Sequence, residues 1–201
     1  DAAYMIRPHI LYLRLNKWGA QTPIEFQQAY ADHSAEGVER ILIDLRDNVG
    51  GYLQAATALA TEFLSKGDLL VYNKGAHYPR EDFKSPRDGR LKEIPLSILV
   101  NENSASASEI FAGAMQDLDR ALIVGRRTFG KGLVQVPFEL KDGSVVRLTV
   151  ARYYTPSGRS IQKSYAKGFE AYAEDIEDRY LHGEFYSADS ISRPDTTRYY
   201  T

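Results

Sequence analysis

The chain has 201 residues, 43% of them hydrophobic and 26% charged, with a net charge of −2 and no cysteine. This is enough for one large domain or two small ones with a sizeable core, and the near-neutral balance leaves no global basic field to hold nucleic acid or an anionic membrane. Disulfides, thiolate catalysis and cysteine metal sites are excluded, and His9, His33, His77 and His182 lie too far apart for ligand spacing, so neither metal nor cofactor is expected.

No apolar run reaches the roughly 18 residues that a membrane span needs. The opening "DAAYMIRPH" is not a secretory leader, and a start at Asp1 reads as an excised or processed piece from which targeting information has been removed. Residues 10–15, "ILYLRL", alternate Ile10, Tyr12 and Arg14 against Leu11, Leu13 and Leu15, as in a strand with one buried face. Thr22 as cap, Pro23 in the first turn and Glu25 at the capping-box position predict a helix running to about His33. "ERILIDL" at 39–45 reads as a buried strand, followed by the turn "RDNVGG". Leu53, Ala56, Leu59, Ala60, Phe63 and Leu64 then repeat at helical spacing until Gly67.

"LLVYN" at 69–73 predicts a short strand, and the polar stretch 75–93 a long exposed loop. "IPLSILV" at 94–100 is a further strand. Ile110, Phe111, Ala114, Met115 and Leu118 give the helix after it one apolar side. Strands follow at 121–125, 132–140 and 144–155, the last two joined through "KDG". "FEAYAEDIEDRYLHG" reads as one acidic helix ending near Gly183, and the polar tail "SADSISRPDTTRYYT" has little that can form a core. The order of elements indicates an α/β or mixed-sheet domain.

Three corners carry chemistry. In "NENSASASEIF", Ser106 stands where a strand turns into a helix, a place from which a serine oxygen projects and the next N–H can face an oxyanion. The same residue, three before Glu109, also fits a capping box. A serine normally needs a base; a His–Asp pairing finds no obvious home among the four scattered histidines, and the Ser–Lys variant needs a lysine that is neutral at working pH. Lys131, between Gly130 and Gly132, is the best candidate, against the alternative of a solvated turn lysine. Bringing a lysine from about 10.4 to near 7 takes roughly 4 to 5 kcal/mol, within the reach of burial. "GRRTFGKG" at 125–132 also matches a phosphate-binding loop through G-x-x-x-x-G-K, then fails: Gly132 replaces the hydroxyl residue, and a strand pattern with Pro137 replaces the helix. Gly50 and Gly51 can present amides to an anion or a carbonyl, or can simply make a tight turn.

Taken together and in order, "LIDLRDNVGG", "LVNENSASASEIFAGAMQD" and "ALIVGRRTFGKGLVQ" closely resemble the core of the C-terminal processing peptidases, the tail-specific serine proteases of family S41. The likeness runs over most of residues 6–163, including "DGSVVRLTVARYYTPSGRSIQ". It implies a ClpP/crotonase-like α/β fold, a mixed β-sheet core with flanking helices. The catalytic core then covers residues 1–163, and 164–201 form a C-terminal helix and tail packing on or extending from it. It implies a Ser–Lys dyad of Ser106 and Lys131, with Gln135 supporting the lysine; if the strand starts at Leu133, Lys131 and Gln135 share a side. It places the oxyanion on backbone N–H groups of Ala107 and the Gly50/Gly51 turn, and gives Asp117 a structural role at the helix end.

The function implied is a serine endopeptidase acting on C-terminal tails of proteins in the bacterial periplasm or cell envelope. Its partners are protein or peptide substrates, with no nucleic acid and no integral membrane segment. The segment from about residue 165 leaves packing on the core, homo-oligomer formation and adaptor contact open. The alternative class is a catalytically inactive binding module, as in retinoid-binding relatives that share this core; those generally lack the full serine, lysine and glutamine set. Two departures stand out. "RDNVGG" replaces the more usual "RGNPGG", and the PDZ domain that captures substrate C-termini in family members has no room ahead of residue 6.

Overall fold

The structure, a computed structural model, describes residues 2–187 and 190. Its main sheet has the strand order β1-β2-β3-β6-β7, formed by β1 (Ala2–Arg7), β2 (Ile10–Arg14), β3 (Arg40–Asp44), β6 (Leu96–Val100) and β7 (Ala121–Gly125). β1 runs antiparallel to β2, and the other neighbours pair in parallel. A strand covered on both faces must be apolar throughout, and "ILI" in β3 meets that need. The second sheet, in the order β5-β4-β9-β8, is antiparallel: β4 (Leu69–Lys74), β5 (Glu81–Lys84), β8 (Leu133–Glu139) and β9 (Val145–Tyr154).

The core lies between the main sheet and the helices α1 (Thr22–Ser34), α2 (Leu53–Thr61) and α3 (Ala107–Asp117). Leu11, Leu13, Ile41, Ile43, Ile98 and Val100 meet Phe26, Ala56, Leu59, Phe111 and Met115, all buried. A run of rings links the helices: Phe26 to Phe63 at 5.7 Å, Phe63 to Phe111 at 6.3 Å, and Trp18 to Phe111 at 5.4 Å between centroids. Each such buried side chain contributes about 1.5–3 kcal/mol of burial free energy, which fixes α3 against the sheet. Because β2, β3, β6 and β7 run in parallel, their C-terminal ends share one edge, with Arg14 opposite Asp44 and Val100 opposite Gly125. In sheets of this kind that edge is where sites form.

The structure departs from the sequence expectations at four places. β1 is an additional strand in which Ala3 and Met5 pack on the core and Tyr4 and Ile6 face out; its alternation is only two apolar contacts deep, too short to stand out in sequence. β5 crosses the stretch expected as loop, held by pairing with β4 alone. The cap of α1 is Gln21, without a side-chain bond, because the Thr22 hydroxyl accepts the Gly19 N–H at 3.0 Å. The acidic helix is two short ones, α4 (Gly168–Ala173) and α5 (Asp175–Leu181); neither has an apolar face on the core, and Arg179 is their one buried residue. The expected tail falls almost entirely outside the described residues.

The strap after β9 crosses the C-terminal end of α3. Asp117, with a fully buried carboxylate, accepts the Ser157 N–H at 3.0 Å and hydroxyl at 2.6 Å, and pairs with Arg159. Gly113 clears the way: a Cβ there would stand 2.8 Å from Thr155 Cγ2. Burial alone raises the Asp117 carboxyl, but the Ser157 and Thr155 bonds and the Arg159 charge outweigh it and hold it below its ordinary value. Its folded pKa is therefore lower than its unfolded one, so its stabilisation is complete above about pH 4 and is lost as pH falls through the folded value. Asp117→Asn is expected to flatten the acid limb of stability against pH and to cost about 1–3 kcal/mol at neutral pH, read by urea unfolding.

Candidate functional site

The site is built where the turn after β3, the corner before α3 and the loop after β7 meet. The first of these, residues 44–51, needs three left-handed residues: Asp47 at φ 65°, Gly50 at 105° and Gly51 at 149°. Asp47 is the non-glycine member of the three, and aspartate is among the few side chains that tolerate this conformation. Its carboxylate is used at the same time, since Oδ1 accepts the side-chain amides of Asn101 at 2.8 Å and Asn103 at 2.9 Å. Gly51 has no alternative, because a Cβ there would lie 2.1 Å from the Trp18 carbonyl oxygen. Gly50 is pressed against the corner, where a Cβ would meet Ser106 Cβ at 2.7 Å and the Ala107 nitrogen at 3.1 Å.

The alternating serines divide by parity. Ser104 and Ser108 are fully buried and tie the corner to the turn: Ser104 donates to the Leu45 carbonyl at 2.8 Å and Ser108 to the Asn48 carbonyl at 3.0 Å. Ser108 Oγ also accepts the Trp18 indole N–H at 2.9 Å. Ser106, between them, is half-buried and caps α3 at φ 57°, ψ −114°, a strained corner of the kind that presents a side chain outward. The capping box is present, with Glu109 accepting the Ser106 N–H at 2.9 Å. Ala107 N–H and Gly51 N–H are taken by no acceptor among the described residues. The Gly50 N–H, by contrast, is committed to Asn48 Oδ1 at 2.9 Å, which removes it from the set of amides expected to face an oxyanion.

Glu109 does far more than cap. Its Oε1 accepts the Thr128 hydroxyl at 2.7 Å and the Gly130 N–H at 2.6 Å, and its Oε2 accepts the Lys131 N–H at 2.8 Å as well as that of Ser106. Burial pushes this carboxyl above its ordinary value, opposed by all four donors. The same loop is gripped elsewhere: Phe129 N–H donates to the Ser104 carbonyl at 3.0 Å, Gly132 N–H to Gln162 Oε1 at 3.0 Å, and Lys163 N–H to the Gly130 carbonyl at 2.9 Å. Lys131 is thus fixed at its backbone to the same carboxylate oxygen that holds the Ser106 N–H.

Its side chain is exposed, so the burial called for in a neutral lysine is not present. β8, which follows it, forms a hairpin with β9 that projects from the body, and most of its residues from Gln135 to Thr149 are exposed. Gln135 is exposed too and donates to Thr149 Oγ1 at 3.5 Å rather than to the lysine. There the register shifts, with Val134 opposite Ala151 and Gln135 opposite Thr149, so β9 carries one extra residue, Val150. Sequence reasoning did not find the binding roles of Asn48, Ser104, Ser108 and Gln162, nor the fourfold role of Glu109. The parity of the serine run was the one available signal. Among the described residues no cluster of three or more histidine, aspartate or glutamate side chains is arranged to hold a metal.

Comparison with known proteins follows the same residues. The chain is 41% identical over 152 residues to a C-terminal processing peptidase of the chloroplast of Tetradesmus obliquus, covering 76% of this chain and 32% of that one. It is equally identical over the same length to a carboxyl-terminal-processing protease of Picosynechococcus, covering 36% of the relative. The chain therefore spans about a third of the length of the curated relatives it matches. Among solved structures, a photosystem II D1 C-terminal processing protease superposes with a TM-score of 0.71 at 40% identity, covering 76% of this chain and 39% of the other. An S41 protease from Bacteroides fragilis shares the fold at 19% identity and a TM-score of 0.61, covering 90% of this chain and 51% of the other. The sequence profile of peptidase family S41 matches residues 9–172, and on that match and these identities the chain belongs to peptidase family S41.

Proposed function

We propose that this chain is the catalytic core of a serine endopeptidase that cuts peptide bonds near the C-termini of protein substrates through a Ser106–Lys131 dyad. One observation carries the reading: a single oxygen, Glu109 Oε2, accepts the backbone N–H of both Ser106 and Lys131, at 2.9 and 2.8 Å. Two side chains from distant segments are thereby registered on one buried acceptor, as a nucleophile and its base have to be.

In this reading the Lys131 amine removes the Ser106 proton as Oγ attacks the peptide carbonyl carbon. Negative charge moves to the carbonyl oxygen, which the free N–H groups of Ala107 and Gly51 stabilise. The lysine returns the proton to the departing amine, and an acyl-enzyme on Ser106 remains. Water, deprotonated by the same lysine, releases the acid and restores the serine. The exposed lysine is brought into a drier surrounding by the substrate itself, whose backbone covers it when laid across the corner. Gln135, loosely held by its long bond to Thr149, turns toward the amine at that stage. The names of the relatives support the substrate class. The bacterial periplasm or cell envelope is the location proposed, on the family resemblance alone. No described helix is long and apolar enough to cross a membrane.

Ser106→Ala and Lys131→Ala are each expected to lower hydrolysis of an unstructured protein by about 10³-fold or more while leaving the circular dichroism spectrum unchanged. Parental turnover by either variant rules out the dyad. Gly50→Ala, which forces a methyl group onto Ser106 at a left-handed φ, is expected to reduce kcat by about 10²-fold, measured on the same substrate.

A further inference from the structure

We propose that Arg179 is a positioning residue for Lys131, and that it makes turnover depend on docking of the C-terminal segment; this rests on the acyl-transfer reading above. Arginine is seldom buried unless its charge is matched, and Arg179 is 4% exposed. Its guanidinium donates to three acceptors: the Arg127 carbonyl, the Thr128 carbonyl at 3.4 Å, and Glu184 Oε1 at 2.9 Å. Asp175, one turn earlier on α5, stands 3.9 Å away. Glu184, itself buried, takes Arg127 in a two-point pair at 3.1 and 2.7 Å. Two carbonyls and one side chain of the loop that leads to Lys131 are therefore held from the C-terminal segment.

The clasp continues into the site. Thr128, whose carbonyl accepts from Arg179, gives its hydroxyl to Glu109, and Glu109 holds the Lys131 and Ser106 amides. Packing does not do this work, because a cavity of about 300 Å³ lies against the loop, lined by Glu109, Thr128, Gly130, Lys163 and Arg179 among others. A loop backed by open space keeps its position through its polar ties and has room to move when they are cut. The segment has little else to hold it: α4 buries no residue and α5 buries only Arg179, and beside the clasp Lys163 reaches the Tyr172 carbonyl at 3.0 Å and Asp175 at 3.3 Å. Docking of the segment and placement of the base are thus reciprocally coupled.

The test compares Arg179→Ala and Glu184→Gln with the parent chain and with Ser106→Ala, using steady-state cleavage of an unstructured casein and NMR amide exchange. The expected result is a fall in kcat of about 10- to 10²-fold with KM within about twofold. Amide exchange at Gly130 and Lys131 rises about tenfold or more while that of α2 and β3 is unchanged, and millimolar guanidinium restores part of the Arg179→Ala loss. Glu184→Gln, which keeps the shape and removes only the charge, is expected to act in the same direction if Arg179→Ala fails to fold. Unchanged kcat together with unchanged exchange at Gly130 and Lys131 overturns the proposal. If Ser106→Ala cleaves as fast as the parent, the acyl-transfer reading fails instead, and the exchange rates alone decide whether the clasp exists.

Discussion

The site depends on one buried carboxylate. Glu109 is 6% exposed and receives four donors from two stretches of the chain, three backbone N–H groups and the Thr128 hydroxyl, none of them a cation. Dipoles that converge in this way hold an anion without a paired charge, and they do so only if every donor stays in place. The arrangement is therefore cooperative: moving the serine corner, Thr128 or the Gly130–Lys131 amides leaves the others facing a poorly solvated charge. Rigidity of the serine corner and the Lys131 loop follows from that penalty more than from the strength of any one bond.

Strain is concentrated beside it. Ser106 and Asp47 both adopt left-handed φ values, at 57° and 65°, which cost non-glycine residues roughly 1–3 kcal/mol each unless local bonds compensate. Compensation is visible in both cases: the Ser106 amide reaches Glu109, and Asp47 collects two asparagine side chains. The aromatic run from Phe26 to Trp18 supplies the stiffness against which these turns are bent.

Much of this was legible in the sequence, for identifiable reasons. The strand and helix order showed through because the buried strands are apolar throughout and the helices carry one apolar side. The serine corner was legible because Ser106 stands between a β-prone apolar run and a helical apolar pattern, with Glu109 three residues on. The second role of Glu109 was not, since its contacts to Gly130 and Lys131 join residues 21 and 22 positions apart, and a capping box already accounted for it locally. The exposure of Lys131 was hidden because apolar alternation in a hairpin does not reveal whether the hairpin rests on the body or projects from it. The break between α4 and α5 was hidden for the opposite reason: a charged stretch without an apolar side gives no periodicity to mark where one helix stops.

The ties that define the lysine loop come from residues 104, 109, 162, 163, 179 and 184, nearly all of them later in the chain than Ser106. During synthesis from the N-terminus, the main sheet and α3 are available to fold well before those later residues emerge. A nascent chain can thus hold a formed core while its lysine is still unplaced. The order of translation alone then keeps the proposed site incomplete until residues 162–184 have emerged.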